Sequence, residues 1–239
     1  MADLRNLLLE AGLTLSEAAL AGLDTYHALL LEWNEKMDLT SVSQQDMAAR
    51  HFLDSLLPLK IEGLIPENGR LIDVGTGAGF PGLPLAIART DLQVTLLEAQ
   101  GKRCKFLAAV CEKLQLKNVE IINDRAEILG RAEGHRESYD RAVARAVAPL
   151  NILCEYLLPF VKENGSALCW KGPAVYDEMK DGEAAANALG GRMGDIFETP
   201  TPQMDTKHIV VQIHKIEKTI PQYPRKNGIP AKRPLKADK

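Results

Sequence analysis

Arg70-Leu-Ile-Asp-Val-Gly-Thr-Gly-Ala-Gly-Phe-Pro-Gly82 is the stretch of sequence that decides the fold. It starts with a short β-prone run, and glycine then stands at positions 75, 77, 79 and 82. A buried strand that enters a glycine-rich turn and then a helix is the entry point for a nucleotide cofactor in open α/β sheets. Glycine lets the backbone approach a ligand, and the first N–H groups of the next helix point to the same place. A turn without a ligand is the weaker interpretation, because four glycines this close cost backbone entropy.

Two cofactor motifs match this stretch. Gly77, Gly79 and Gly82 satisfy the dinucleotide fingerprint G-x-G-x-x-G, but that frame begins two residues after the strand has ended at Gly75. The second motif is the first motif of methyltransferases, an acidic residue followed by G-x-G-x-G. Asp73, Gly75, Gly77 and Gly79 match it, in register with the end of the strand. In that interpretation the turn passes beneath S-adenosylmethionine, whose ammonium group an acidic residue can balance.

Glu98 supplies the second half of the signal. It ends the next predicted strand, Gln93–Glu98, where a carboxylate can accept both hydroxyls of an adenosine ribose. NAD and S-adenosylmethionine sites share this feature, so Glu98 indicates an adenosine cofactor without choosing between them.

Strand and helix patterns alternate along the rest of the chain. Strands are predicted at 70–75, 93–98, 119–122, 139–144, 165–170, 193–198 and 208–216, helices at 102–116, 150–161 and 175–189, and about sixty mostly helical residues precede them. Two final strands adjacent in sequence are typical of methyltransferases, and no room remains for a dehydrogenase substrate domain. We expect an α/β fold of the class I methyltransferase-like (Rossmann-like) type, with a seven-stranded mostly parallel sheet. The expected division is a helical cap (1–64), a cofactor-binding core (65–220) and a basic, proline-rich tail (221–239).

Composition excludes several classes of protein. Of 239 residues 46% are hydrophobic, enough for a large core, and no run of about 18 apolar residues predicts a membrane span. The first residues lack the pattern of a signal peptide, and the four cysteines lack zinc-ligand spacing. We therefore expect a cytoplasmic protein with reduced thiols and no metal. The net charge is −3, yet residues 215–239 hold eight Lys/Arg and two acids, which suggests local contact with a polyanion.

Several segments together resemble one known family. They are Asp73-Val-Gly-Thr-Gly-Ala-Gly-Phe-Pro-Gly82, Arg50-His-Phe-Leu-Asp-Ser55, Gly101-Lys-Arg103, Phe106-Leu107, Asp124-Arg-Ala-Glu127, Arg141-Ala-Val-Ala-Arg-Ala146 and Leu168-Cys-Trp-Lys-Gly172. This set is similar to the bacterial glucose-inhibited division protein B family, whose members methylate guanine N7 in 16S ribosomal RNA. The resemblance covers nearly the whole chain, and the Arg-His-x-x-Asp-Ser segment makes it specific.

The resemblance implies a set of cofactor-binding residues. Gly75 and Phe80 would lie against S-adenosylmethionine, Ala126 and Glu127 near its adenine, and Arg145 beside its methionine end. Asp73, Gly77, Gly79 and Glu98 complete the set already indicated by the motif.

Residues for chemistry and for RNA are expected at strand ends and in basic clusters. Arg145 and Lys171 follow predicted strands, where they could serve as catalytic residues that act on phosphates or on guanine O6. The candidate RNA-binding residues are Arg50, His51, Lys102, Arg103, Arg225 and Lys226. The alternative for each is a solvated charge or, for His51, a partly buried histidine. Asp38 is left out, because the family has asparagine there and a negative charge would oppose RNA.

We therefore expect methylation of guanine N7 in small-subunit ribosomal RNA with S-adenosylmethionine as cofactor. The partner would be that RNA or a pre-assembled 30S intermediate, and we expect a monomer. Guanine N7 has a free lone pair, so the lack of a general-base constellation is consistent with this reaction. The open alternatives are another RNA or a small molecule as substrate, an NAD(P) oxidoreductase, and a non-catalytic RNA-binding or cell-division factor.

Overall fold

The computed structural model of the chain describes residues 2–145, 148–202 and 207–237. The strands are β1 (Arg70–Val74), β2 (Gln93–Leu97), β3 (Val119–Ile122), β4 (Tyr139–Arg145), β5 (Val161–Lys171), β6 (Gly191–Pro200) and β7 (Lys207–Lys215). The α-helices are α1 (Ala2–Glu10), α2 (Glu17–Met37), α3 (Asp54–Leu56), α4 (Gly82–Ala88), α5 (Gly101–Leu114), α6 (Ala126–Leu129), α7 (Leu150–Leu157), α8 (Met179–Ala188) and α9 (Ile229–Lys232). A π-helix spans Ala48–Leu53, and 3-10 turns span Leu57–Lys60, Leu158–Phe160 and Pro173–Glu178.

The strands of the described residues form one sheet in the order β3-β2-β1-β4-β5-β7-β6. The first five strands are parallel, and β7 runs antiparallel between β5 and β6. This confirms the predicted seven-stranded, mostly parallel sheet. Because β7 is reversed, it begins at the edge where β1, β4 and β5 end, and Ile209 pairs with Lys171 there. The ligand-binding edge of the sheet therefore includes the start of the last strand.

Both faces of the sheet are covered by apolar layers, as expected for parallel strands. Leu71 and Val143 face the layer made by the N-terminal helices with α4 and α5, whereas Ile72 and Ala142 face the layer made by α7 and α8. Tyr26 of α2 is fully buried and donates to the Ala78 carbonyl in the glycine turn. The helical cap is thus fixed directly onto the predicted cofactor turn.

Residues 44–57 belong to the N-terminal stretch that we expected to be mostly helical, and part of this segment takes a different helical form. Ala48–Leu53 is a π-helix, and α3 follows it for one short turn. The carbonyls of Arg50 and His51 accept hydrogen bonds from Arg145 Nη1 at 3.1 and 3.3 Å. These contacts come from a distant strand, so helical periodicity does not encode them. π-Helical turns occur often at functional sites.

The basic, proline-rich tail packs against the body over residues 221–237. Arg131 donates to the carbonyls of Pro221, Gln222 and Pro224, and Arg225 forms an ion pair with the buried Glu155 of α7 at 2.6 Å. The tail follows the surface of the body and includes α9. Within the described ranges no helix has the length and apolar character needed to cross a bilayer.

Candidate active site

The glycine turn after β1 requires its glycines for two reasons. Gly75, Gly77 and Gly79 have φ values of +71°, +61° and +106°, which side-chain-bearing residues rarely adopt. A Cβ on Gly79 would lie 2.5 Å from Leu83 Cδ1 and 2.8 Å from the Tyr26 hydroxyl. The turn therefore keeps an open backbone surface toward ligand while its underside is packed against the cap.

Asp73 supports this turn from below. Its Oδ2 accepts hydrogen bonds from Thr76 Oγ1 at 2.6 Å and from the Gly82 amide at 2.8 Å. Its Oδ1 is buried and has no hydrogen-bond partner among the described residues. Burial raises the pKa of Asp73 to about 6. Because Asp73 lies beneath the turn, any part it takes in cofactor binding is electrostatic.

Glu98 lies at the end of β2 and faces the same turn. Its Oε2 accepts from the Gly77 amide at 2.9 Å, and its Oε1 accepts from the Gln100 amide at 2.8 Å. Each carboxylate oxygen has two acceptor sites, so both can still receive a ribose hydroxyl. Arg103 approaches Oε2 to 3.8 Å, which places this predicted RNA-binding residue at the rim of the cleft described next.

A cleft of about 420 Å³, here called the turn-side cleft, opens above the glycine turn. It is lined by Leu39, Thr40, His51, Gly75, Thr76, Gly77, Ala78, Phe80, Glu98, Arg103 and Arg145. The cleft offers an uncovered backbone turn, a carboxylate at the end of the second strand, and an aromatic face. These features match the polar adenosine and amino-acid ends of S-adenosylmethionine, so the residues present fit the cofactor.

His51 and Arg145 together form one wall of this cleft, here called the partition. Arg145 Nη2 donates to His51 Nδ1 at 3.0 Å, and His51 Nε2 contacts Thr40 Oγ1 at 2.7 Å. The His51 ring stacks on Phe80 at 4.5 Å between centroids. Burial and the neighbouring Arg145 guanidinium lower the pKa of His51 to about 3, so the ring is neutral. The His51 ring is buried, as in the alternative of a partly buried histidine, and it still lines this cleft.

Asp54 binds the Arg145 side of the partition. Its carboxylate is 2% exposed and contacts Arg145 Nη1 at 3.0 Å and His208 Nδ1 at 2.5 Å. The Trp170 indole donates to the Asp54 carbonyl at 3.1 Å, which fixes the backbone as well. The Arg-His-x-x-Asp-Ser segment therefore forms a network around the guanidinium at the end of β4.

A second hollow of about 300 Å³, the strand-end pocket, also borders the partition. Val42, Arg50, His51, Asp54, Arg145, Trp170, Lys171, Gly172 and His208 line it. Lys171 Nζ contacts the Ala148 carbonyl at 3.1 Å and the Glu178 carboxylate at 2.7 Å. Arg50 is exposed at the rim of this pocket. The turn-side cleft and the strand-end pocket thus share His51 and Arg145.

The remaining predicted residues are not among those that line the two hollows. Ala126 and Glu127 begin α6 after β3, and Glu127 is buried with its Oε1 accepting from the Gly228 amide of the tail. Lys102 is exposed in the first turn of α5. Arg225, a candidate RNA-binding residue, forms an ion pair with Glu155 of the same chain, whereas Lys226 is exposed.

Sequence reasoning missed Tyr26, Thr40, Asp54 and His208. Asp54 belongs to a segment that its polar density had singled out, but its burial could not be inferred. His208 could have been found from the reversed last strand, because such a strand begins at the ligand-binding edge. The described parts of the chain contain no cluster of three or more side chains able to hold a metal ion.

Comparison with known proteins identifies relatives along nearly the whole chain. A family model described as rRNA small subunit methyltransferase G, GidB, matches residues 19–206. A protein from Alkaliphilus metalliredigens named Ribosomal RNA small subunit methyltransferase G is 45% identical over 228 residues, which cover 95% of each chain. Another, from Leuconostoc citreum, is 42% identical over the same coverage.

Solved structures share the fold at low sequence identity. M. jannaschii TYW2 in complex with AdoMet has a TM-score of 0.53 at 16% identity, covering 74% of this chain and 79% of that one. P. horikoshii TYW2 in complex with MeSAdo has a TM-score of 0.52 at 13% identity, covering 68% of this chain and 61% of that one. The likeness is one of fold.

Proposed function

The chain belongs to the GidB family of small-subunit ribosomal RNA methyltransferases, and we propose that it methylates N7 of one guanine in 16S ribosomal RNA. The methyl donor is S-adenosylmethionine. The observation that carries this proposal is the pair of adjoining hollows that share His51 and Arg145. One hollow has the features of a cofactor cleft, and the other lies at the strand ends, where sheets of this class bind substrate.

In this function the turn-side cleft holds the cofactor. Gly75 and Gly77 leave backbone open to it, Phe80 offers an apolar face, and Glu98 offers acceptors for the ribose. Ala126 and Glu127 are proposed to border the adenine, as the family resemblance implies. When bound, S-adenosylmethionine supplies a methyl group already activated on a sulfonium.

The strand-end pocket holds the guanine. N7 carries no proton and has an in-plane lone pair, so no side chain must act as a base. The chain's contribution is to orient the base, and positioning within about 3–3.5 Å of the reacting carbon is worth several kcal/mol. Arg145 is already bonded to Asp54, to His51 and to two carbonyls, so we assign it the role of holding the partition rigid.

Lys171 is the proposed donor to the base. An ammonium has three N–H donors, and the Ala148 carbonyl and the Glu178 carboxylate can each take one. Nζ lies 3.0 and 2.7 Å from the two Glu178 oxygens, and when only one of them is kept, the freed N–H can donate to guanine O6, which lies beside N7 on the same edge of the base. Arg50, Lys102, Arg103 and Lys226 are proposed to contact RNA phosphates, which would make affinity fall with salt.

We propose a pre-assembled 30S intermediate or the free RNA as the substrate, met in the cytoplasm by a monomer of this chain. The body outside residues 215–239 is acidic overall, so non-specific attraction to RNA is weak. Recognition must then rely on shape and on a few placed cations, which is typical of RNA-binding sites.

Methyl transfer tests this proposal. Radiolabelled S-adenosylmethionine is offered with free 16S RNA and with 30S subunits, both from cells lacking the enzyme, and wild type should label one or both. Glu98→Ala removes the proposed ribose acceptor and leaves the Gly77 amide without its partner. We expect its cofactor affinity to fall about 10–100-fold, measured by calorimetry.

The matched control is Glu112→Ala, because Glu112 is exposed on α5. It should bind cofactor and label RNA like wild type. Equal cofactor affinity in Glu98→Ala and wild type would contradict the ribose assignment, and absence of label on both substrates would contradict the function.

A further inference from the structure

His208 enters the strand-end pocket from the reversed strand β7. It is the second residue of that strand and precedes Ile209, which pairs with Lys171 at the end of β5. Its side chain is 21% exposed and lines the pocket with Lys171 and Gly172. His208 and Lys171 thus approach the pocket from neighbouring strands.

Asp54 fixes the orientation and the tautomer of the His208 ring. The Asp54 carboxylate accepts hydrogen bonds only, so the ring nitrogen at 2.5 Å from it, Nδ1, carries a hydrogen. The same carboxylate also binds Arg145 at 3.0 Å, so it is held in place from two sides. In the neutral ring Nε2 then has a free lone pair. Among the described residues the His208 ring bonds through Nδ1, to Asp54, and the side chain lines the pocket, so Nε2 is the nitrogen that can serve a ligand there.

A purine N7 methyltransferase must distinguish guanine from adenine by something other than N7. Both bases present an acceptor at N7, and they differ at position 6, where guanine has an oxygen and adenine an amino group. They also differ at N1, which carries a hydrogen in guanine and a lone pair in adenine. A fixed acceptor therefore attracts guanine at N1 and repels adenine there. The pocket has such an acceptor in His208 beside a donor in Lys171.

We propose that His208 is a specificity-determining residue, whose Nε2 accepts a hydrogen bond from N1–H of the target guanine. Asp54 is its positioning residue, because it fixes the tautomer and the ring orientation. This inference rests on the proposed function and extends it from the reacting atom to the discrimination of the base. His208 recognises the N1–H donor of guanine, and Lys171 recognises the O6 acceptor. Adenine has an acceptor at N1 and a donor at position 6, so it satisfies neither contact.

Two variants separate the two ring nitrogens. His208→Asn keeps an amide donor near the position of Nδ1 for Asp54 and loses the acceptor toward the pocket. His208→Gln places an oxygen near the position of Nε2 and gives up the Asp54 contact. Each is assayed for kcat/KM on 16S RNA that carries guanosine at the methylated position, and on the same RNA with 2-aminopurine riboside there. 2-Aminopurine keeps N7 and lacks both the N1 hydrogen and the oxygen at position 6.

We expect His208→Asn to lower kcat/KM on the guanosine RNA by about 10–100-fold and on the 2-aminopurine RNA by less than about 3-fold. His208→Gln should retain most of the preference for guanosine. 6-Thioguanosine keeps the N1 hydrogen, so replacement of O6 by sulfur should not change the effect of His208→Asn. Cofactor affinity and thermal unfolding of both variants provide the check on folding.

The inference is overturned if His208→Asn lowers transfer to guanosine and 2-aminopurine by the same factor, because that result indicates a structural role. It is also overturned if His208→Asn transfers to guanosine as fast as wild type. Failure of wild type to methylate any RNA would instead contradict the proposed function, so the two failures can be told apart.

Discussion

Asp73 is a carboxylate that the fold buries without full compensation. Oδ2 has two donors, whereas Oδ1 is buried without a partner in the described part of the chain. Its pKa of about 6 lies above the ordinary value of 3.8, so between these pH values the folded protein binds more protons than the unfolded chain. The contribution of Asp73 to stability therefore falls as pH rises from about 4 to about 6, and above that the buried charge is a net cost. Such a cost at a cofactor turn indicates a functional role for the charge.

A cationic ligand above the turn favours the ionised form of Asp73. We therefore expect the affinity for S-adenosylmethionine to rise between about pH 5 and pH 7, because below pH 6 binding must first release the proton. Asp73→Asn should bind more weakly at pH 7 and show a flat pH profile over this range. Calorimetric titrations of both proteins from pH 5 to pH 8 measure this, and parallel profiles would show that another group is responsible.

The C-terminal segment shows how one ion pair can organise an element. The Arg225 guanidinium and its backbone amide bind the Glu155 carboxylate, which is 1% exposed within α7. The Glu155 carboxylate raises the pKa of Arg225 through hydrogen bonding. Arg136 also donates to the carbonyls of Thr219 and Tyr223, so the segment is held at several points.

Arg225→Ala should reduce the free energy of unfolding by about 3 kcal/mol, because it removes the cation from a buried carboxylate and leaves it only the backbone amide of residue 225. Lys226→Ala, which removes the neighbouring exposed cation, is the matched comparison and should stay within about 0.5 kcal/mol of wild type. Urea unfolding at pH 7 measures both. An Arg225→Ala variant as stable as wild type, with a reduced salt dependence of RNA binding, would restore the original RNA-binding assignment.

The elements that sequence predicted well are those encoded by local pattern. β1 and β2 are apolar runs that end at Gly75 and Glu98, and their positions follow from those residues. The π-helix and the folded tail were not predictable in this way, because Arg145 and Glu155 contact segments about 70 or more residues distant in sequence. Residues 221–237 have the composition of a solvated tail, and composition alone does not reveal that the buried Glu155 carboxylate binds them.

Three parts of the chain meet at one edge of the sheet. The cap contributes His51 and Asp54, the core contributes the glycine turn, Glu98 and Arg145, and the reversed strand contributes His208. The cofactor half of the site could be predicted because its motif is continuous in sequence. In the substrate half, Arg50, His51, Arg145 and Lys171 were candidates from the sequence and all line the strand-end pocket. Asp54 and His208 were not, because only tertiary packing brings them to these residues.

We propose that the two hollows together place the methyl group on N7 of one guanine. The most direct measurement is to map the methyl group on 16S RNA after reaction with wild-type protein. Borohydride reduction and aniline treatment cleave RNA at 7-methylguanosine, and primer extension locates the break. We expect one new cleavage site, at a guanine, with a yield that matches the label incorporated. Label at another atom, at an adenine or at many guanines would contradict it.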